Sequence, residues 1–235
     1  MPEITIAPVV RDRLALALDT DDLVDALRVA RDLEPWFGVA KVGLELFSAT
    51  GPEVVTAFVD RGWRVFLDLK LHDIPTTVRK AARVLGALGA SYVTVHAHGG
   101  VDMLRAGVEG LMVGAEQAGL EPPAAIAVTV LTSDDGAPPH ILGKRVASAV
   151  EAGCRGIVCS ASDVREAKQL APRLFAVVPG IRLSGTDAHD HARAATPDEA
   201  ILAGADLLVV GRAVTAAPDR VAAAIALAGA VGAVV

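Results

Sequence analysis

The sequence predicts an α/β protein in which residues 1–235 form one domain, a single (β/α)8 barrel. Three observations support this prediction: eight short apolar runs, helical patterns between them, and a length of 235 residues, which is ordinary for one such barrel. A doubly wound open sheet is the second interpretation. It is disfavoured because no G-x-G-x-x-G motif follows the first predicted strand.

The predicted strands are rich in Val, Leu, Ala and Ile, without regular alternation between apolar and polar residues. Such runs are typical of parallel strands that are buried on both faces. In chain order, they cover residues 14–18, 39–43, 65–70, 92–97, 124–130, 156–160, 174–180 and 207–212.

Helical patterns occupy the connections, for example residues 21–33, 75–89 and 196–205. The last of these opens with a capping box, in which Thr196 is the N-cap, Pro197 follows, and Glu199 reaches back. The apolar run 222–235 is shorter than the roughly 20 residues that span a bilayer. It therefore predicts a packed terminal helix and no membrane partner.

Composition excludes several classes of partner and compartment. The net charge is −6, basic residues are scattered, and aromatic residues make up 3% of the chain, so we expect no nucleic-acid binding. The first residues lack the apolar core of a secretory signal. Two cysteines are too few for a disulfide framework, and together these features predict a cytoplasmic protein.

Polar residues stand at or just after the carboxyl end of each predicted strand. Active sites of (β/α)8 barrels lie at this end of the barrel. The residues are Asp19, Lys41, Asp68 with Lys70, His96, Thr132, Ser160, Arg182 and Arg212.

Asp68 and Lys70 are the strongest candidates for a reactive pair, because side chains two apart on a strand share a face. Lys41 on the neighbouring strand is their expected partner. A structural ion-pair cluster is the alternative, but buried ion pairs stabilise proteins weakly, so a catalytic role is favoured. Asp19 and Asp73 also have a simpler interpretation as helix caps.

Two further groups suggest ligand chemistry. His96 and His98 have the spacing of a metal-binding pair, but no acidic third ligand is identifiable, so we predict no metal site and no cofactor. Gly180 with Arg182, and Gly211 with Arg212, follow strands seven and eight. Barrels of this kind often bind phosphate there, which favours a phosphorylated small molecule.

The motifs LALD, KVG, DLKLHDIPTT, VTVLTS, PGIR, ATP and VVGR occur in this order along nearly the whole chain. In sequence and spacing they closely resemble the orotidine 5'-phosphate decarboxylase family. The resemblance implies a cofactor-free lyase that converts orotidine 5'-monophosphate to uridine 5'-monophosphate and CO2 in pyrimidine synthesis. It also implies a homodimer whose active sites are shared across the interface.

The resemblance assigns a role to each matching residue. Lys41, Asp68, Lys70 and Asp73 form the charged catalytic array, with Asp73 reaching the partner's site. The residues implied to bind substrate are Asp19 and Lys41 at the ribose, Leu131, Thr132 and Pro179 at the pyrimidine, Arg182, His191, Gly211 and Arg212 at the phosphate, and Ile74 and Thr77 across the interface.

One position departs from the family pattern: His191 stands where the family usually has Gln. A histidine can donate to phosphate but cannot both donate and accept at one end as an amide does. Two other functions stay open at this stage. One is a metal-dependent phosphosugar lyase or isomerase of related barrel type, and the other is a phosphate-binding barrel without catalysis.

Overall fold

The computed structural model describes residues 6–131, 137–138, 140–183 and 195–235. Eight parallel strands form a closed barrel in sequence order, and β1 completes the closure by pairing with β8. The prediction of a (β/α)8 barrel is therefore confirmed. The strands are β1 Leu14–Leu18, β2 Val39–Val42, β3 Arg64–Leu71, β4 Tyr92–His96, β5 Ala124–Val128, β6 Gly156–Val158, β7 Phe175–Val178 and β8 Leu207–Val210.

All eight strands lie where the apolar runs predict them, and several end earlier than predicted. β7 ends at Val178 because the next residue, Pro179, has no backbone N–H to donate to the ladder. β3 departs from regular pairing, since its register against β4 shifts between Leu67 and Leu71. This irregularity lies at the end of the barrel that holds the candidate site.

Helices cover the outside of the barrel. They are α1 Pro8–Arg11, α2 Leu23–Leu33, α3 Leu44–Thr50, α4 Glu53–Val59, α5 Pro75–Gly86, α6 Gly100–Ala118, α7 Ile141–Glu151, α8 Ala161–Leu170, α9 Pro197–Ala203, α10 Arg212–Thr215 and α11 Arg220–Gly232. The predicted capping box of Thr196 and Glu199 is present. The predicted terminal helix is α11. In the part of the chain that the structure describes, no helix has the length and apolarity to cross a membrane.

The core has two layers. The larger lies between the strands and the helices, and the smaller fills the barrel interior around Phe66. Tyr92 stacks on Phe175 with ring centroids 5.5 Å apart, and meets the Phe66 ring edge-on at 6.1 Å. These rings pack inside the barrel, as is usual for barrels of eight strands. Phe66 and Val209 also line the candidate site, so the interior core forms part of its floor.

Candidate active site

A cavity of about 260 Å³ opens at the carboxyl ends of the strands. It brings together nine of the residues that the sequence predicts for the site, from six strands or the loops that follow them. These nine are Asp19, Lys41, Asp68, Lys70, Leu131, Pro179, Arg182, Gly211 and Arg212.

Lys41 forms an ion pair with Asp19 across β1 and β2, with 2.5 Å between Nζ and Oδ1. The lysine side chain is only 9% exposed, whereas the aspartate side chain is 56% exposed and faces the opening. The expected pairing of Lys41 with Asp68 is therefore wrong. The interpretation of Asp19 as a helix cap is also wrong, because Asp22 accepts the free N–H groups at the start of α2.

Gly43, which directly follows β2, leaves room for this pair. A Cβ at Gly43 would lie 2.9 Å from the Lys41 Nζ and 3.3 Å from the Asp19 Oδ1. Any larger residue at this position would therefore require the end of the lysine side chain to shift relative to the aspartate. The sequence motif KVG carried this signal, but the sequence alone assigned Gly43 no role.

Asp68 and Lys70 form the second ion pair, with 2.7 Å between Asp68 Oδ2 and Lys70 Nζ. Lys70 has a φ of 51°, in the left-handed region that costs a residue with a side chain about 1–2 kcal/mol. The pair lies where the β3–β4 register shifts. The regular alternation of side chains along a strand therefore does not by itself explain why the two side chains meet. Strained backbone of this kind tends to occur at functional sites.

Thr94 on β4 contacts both members of this pair. Its hydroxyl oxygen accepts the Lys70 backbone N–H at 2.7 Å and donates to Asp68 Oδ1 at 3.1 Å. Thr94 could not be selected from the sequence, because a buried threonine in a strand is common.

The opposite wall of the cavity is apolar. It consists of Val128 and Val130 from the β5 region, Val158 from β6 and Val209 from β8. Leu131 continues this wall to the opening, where it is partly exposed. Charged groups on β1–β3 thus face an apolar surface across a space of ligand size.

The ends of β7 and β8 close the remaining side. Gly180 has a φ of 78°, which favours glycine, and it lines the cavity beside Pro179. Arg182 is held by its backbone N–H, which donates to the Ala195 carbonyl at 3.0 Å. Together with Arg212, it brings two guanidinium groups to this side, a composition suited to an anionic group.

Asp73, Ile74 and Thr77 do not line the cavity of their own chain. All three are exposed, and Ile74 is 66% exposed although it is apolar. The Asp73 carboxylate accepts the backbone N–H of Ile74 at 2.6 Å, and α5 has no side-chain cap, so the capping interpretation of Asp73 is wrong. The other two predicted site residues, Thr132 and His191, lie outside the described residues.

Three histidines cluster beside the site at the ends of β3 and β4. The centroid of the His72 ring lies 5.6 Å from the ring centroid of His96 and 5.4 Å from that of His98. Burial lowers the pKa of His96 to about 4, with smaller contributions from the positive charges of Arg145 and other neighbours. Within the described ranges, no three or more His, Cys, Asp or Glu side chains are placed to bind a metal ion.

Comparison with known proteins gives one consistent family. Residues 12–227 match the family model described as Orotidine 5'-phosphate decarboxylase / HUMPS family. A protein named orotidine 5'-phosphate decarboxylase from Anaeromyxobacter sp. (strain K) is 46% identical over 228 residues, which cover 92% of this chain and 97% of the relative. A protein of the same name from Moorella thermoacetica is 42% identical over 230 residues, covering 93% and 91%.

Solved structures agree with these relatives. The crystal structure of orotidine 5'-phosphate decarboxylase from Lactobacillus acidophilus superimposes with a TM-score of 0.79 at 32% identity, covering 94% of this chain and 99% of the other. An uncharacterized conserved protein from Geobacillus kaustophilus gives the same TM-score at 34% identity, covering 93% and 99%.

Proposed function

Because the chain belongs to the orotidine 5'-phosphate decarboxylase family, and therefore converts orotidine 5'-monophosphate to uridine 5'-monophosphate and CO2, we propose that its own charged residues catalyse this reaction without a cofactor. The observation that carries the proposal is the Asp68–Lys70 pair, which borders a cavity with an apolar wall and two arginines. The reaction belongs to pyrimidine synthesis.

In the proposed mechanism, Asp68 lies beside the substrate carboxylate and disfavours the ground state by charge repulsion. The bond between C6 and the carboxylate breaks, and its electron pair stays on C6 as CO2 departs. The Lys70 ammonium stabilises this negative charge and then donates its proton to C6, which yields the product. Lys70 regains a proton from water.

The remaining cavity residues bind the rest of the nucleotide. Asp19 and Lys41 hold the ribose hydroxyls, Leu131 and Pro179 contact the pyrimidine, and Arg182, Arg212 and the Gly211 backbone hold the phosphate. The two arginines at the ends of β7 and β8 support this orientation. Thr132 at the pyrimidine and His191 at the phosphate complete the proposed set by resemblance to the family.

The function and its independence from metal can be tested together. Purified protein is dialysed against a chelator and mixed with orotidine 5'-monophosphate, whose ultraviolet absorbance falls on decarboxylation. We expect full turnover without added metal, and none from a Lys70→Ala preparation made in parallel. Loss of activity that Mg²⁺ restores would instead support a metal-dependent lyase, and nucleotide binding without turnover would support a non-catalytic barrel.

We also propose a homodimer in which Asp73 completes the partner's active site, with Ile74 and Thr77 beside it. The support is positional: these residues are exposed outside their own cavity, and Ile74 presents an apolar side chain to solvent. An apolar side chain exposed next to the charged residues of a family motif fits an interface.

Mixed dimers test this sharing. Lys70→Ala and Asp73→Ala homodimers should each be nearly inactive, because every site lacks one charged group. In a mixed dimer, one site carries both substitutions and the other carries none, so subunit exchange should restore at most one working site per dimer. If native mass spectrometry detects mixed dimers and activity stays at the parental level, Asp73 does not act across the interface.

The proposal includes one catalytic domain over residues 1–235 and a cytoplasmic location, without nucleic-acid or membrane partners. The two cysteines, Cys154 and Cys159, are buried free thiols, which is compatible with a reducing compartment. Burial raises the pKa of each thiol to about 12.

A further inference from the structure

Thr94 is a fully buried polar residue in the middle of β4, and its exposure is 0%. A buried hydroxyl is normally satisfied by hydrogen bonds. Here it accepts the backbone N–H of Lys70 at 2.7 Å and donates to Asp68 Oδ1 at 3.1 Å. One side chain therefore contacts the backbone of one member of the reactive pair and the carboxylate of the other.

The geometry of β3 explains why a side chain is needed there. The ladder between the strands pairs Leu67 with Val93. It resumes only at Leu71, which pairs with Val95. Three residues of β3 therefore lie opposite a single residue of β4, Thr94, and the regular backbone hydrogen bonds are interrupted across this bulge.

The hydroxyl of Thr94 replaces a missing ladder bond. The Lys70 N–H would otherwise lack a strand partner at a residue whose φ of 51° is already unfavourable. By donating to Oδ1 of Asp68, the same hydroxyl leaves Oδ2 for the Lys70 ammonium at 2.7 Å. The Thr94 hydroxyl thus fixes both the position of the Lys70 backbone and the orientation of the Asp68 carboxylate.

We propose that Thr94 is a positioning residue for decarboxylation, which holds Asp68 and Lys70 in reactive geometry by one bifunctional hydroxyl group. This inference rests on the proposed function of the pair. Thr94 does not line the cavity, so it acts through these two residues and not on the substrate. Small displacements of reacting groups reduce rates strongly, by about 100-fold for 1 Å.

The test compares Thr94→Val, which keeps the shape and removes the hydroxyl, with Thr94→Ser, which keeps the hydroxyl. We expect kcat of the valine variant to fall by about 10- to 100-fold, with KM changed by less than about threefold, because the ribose and phosphate groups are untouched. The serine variant should retain kcat within about threefold of wild type. Urea denaturation of each variant confirms that rates are measured on folded protein.

Thr129→Val is the matched control. Thr129 follows the neighbouring strand β5, is equally buried, and donates its hydroxyl to the Val158 carbonyl at 2.7 Å. Its hydroxyl does not contact the ion pair. The Thr129→Val variant should lose stability as Thr94→Val does, while its kcat stays within about threefold of wild type.

Two results would overturn the inference: a folded Thr94→Val enzyme with normal kcat, or equal losses of kcat in Thr94→Val and Thr129→Val. If Thr94→Val does not fold, Thr94→Cys takes its place, since a thiol is a weak hydrogen-bond partner, and the same fall in kcat is expected. Failure of the proposed function is distinguishable, because wild-type protein would then not turn over orotidine 5'-monophosphate.

Discussion

Lysine–aspartate pairs lie at both ends of the barrel, and within the described part of the chain the Asp68–Lys70 pair lines the site cavity whereas the Lys168–Asp206 pair does not. At the end with the cavity, Lys70 Nζ lies 2.7 Å from Asp68 Oδ2. At the other end, Lys168 Nζ on α8 lies 2.6 Å from Oδ2 of Asp206, the residue before β8. All four side chains are partly buried, so burial does not distinguish a reactive pair from a structural one.

The surroundings of the pairs do distinguish them. Lys168 also donates to the Leu174 carbonyl at 2.8 Å, and Asp206 also accepts the Ala176 N–H at 2.8 Å. This pair therefore joins α8 and the residue before β8 to the start of β7, and neither of its residues lines the site cavity. In the Asp68–Lys70 pair, the backbone of Lys70 is left-handed, and both residues line the cavity. An ion pair becomes a candidate site when its charge faces space that a ligand can fill.

Removal of Lys70 should produce the largest effect and affect activity alone. Because Lys70 is both the proposed electrostatic stabiliser and the proton donor, Lys70→Ala should lower kcat/KM by about 10⁴-fold or more. The free energy of unfolding should change by less than about 1 kcal/mol, because Asp68 keeps its hydrogen bond from the Thr94 hydroxyl when the lysine is removed. Initial rates and urea denaturation measure the two quantities, and near-normal turnover would refute the mechanism.

Removal of Lys168 should have the opposite profile. Lys168→Met keeps the length of the side chain but leaves the Leu174 carbonyl and the Asp206 carboxylate with one partner fewer. We expect the free energy of unfolding to fall by about 1–2 kcal/mol, with kcat of the folded enzyme unchanged. A loss of kcat comparable to that of Lys70→Ala would contradict the division between the two ends.

Backbone strain at the cavity end gives a smaller effect. Because Lys70 is left-handed, glycine should be preferred to alanine there once the side chain has been removed. Lys70→Gly should therefore be more stable to urea than Lys70→Ala by about 1 kcal/mol, although both are inactive. Equal stability of the two variants would show that the strain is absent in solution.

The features that could be predicted from sequence are those with local causes. Apolar runs placed all eight strands, and Thr196 with Glu199 marked a helix start. The partner of Lys41 could not be predicted from register. Lys41 lies opposite Ala17 on β1 and Phe66 on β3. Asp19 is two residues after Ala17, and Asp68 is two residues after Phe66, so the register places the two aspartates equally far along their strands from Lys41.

Tertiary structure decides between these two aspartates. Asp68 is engaged by Lys70 and Thr94, on the side of β4, so Asp19 remains for Lys41. The pairing of Lys41 with Asp19 therefore depends on the bulge in β3. A glycine often marks a turn in a sequence, but no comparable pattern marks a bulge at a lysine. Thr94 could not be predicted for the same reason.

The last prediction concerns acid stability at the cavity end. The folded protein holds the pKa of His96 at about 4, mainly because the ring is partly buried and secondarily because Arg145, His72, His98 and Lys70 surround it with positive charge. The unfolded chain takes up a proton at His96 near pH 6.5, whereas the folded protein does not until about pH 4. The unfolded state therefore binds more protons in this window, and stability must fall as pH decreases through it.

His96→Asn tests this prediction. The asparagine side-chain oxygen can accept the His98 backbone N–H, which the His96 Nδ1 accepts at 3.2 Å, so the local turn is retained without the titrating group. Urea denaturation of wild type and variant at pH 7, 6 and 5 should show a shallower loss of stability in the variant. His140→Asn, which removes an exposed histidine at the start of α7, is the matched control. Equal slopes in wild type and His96→Asn would mean that the ring is not held neutral, and that the cavity end gains no acid sensitivity from His96.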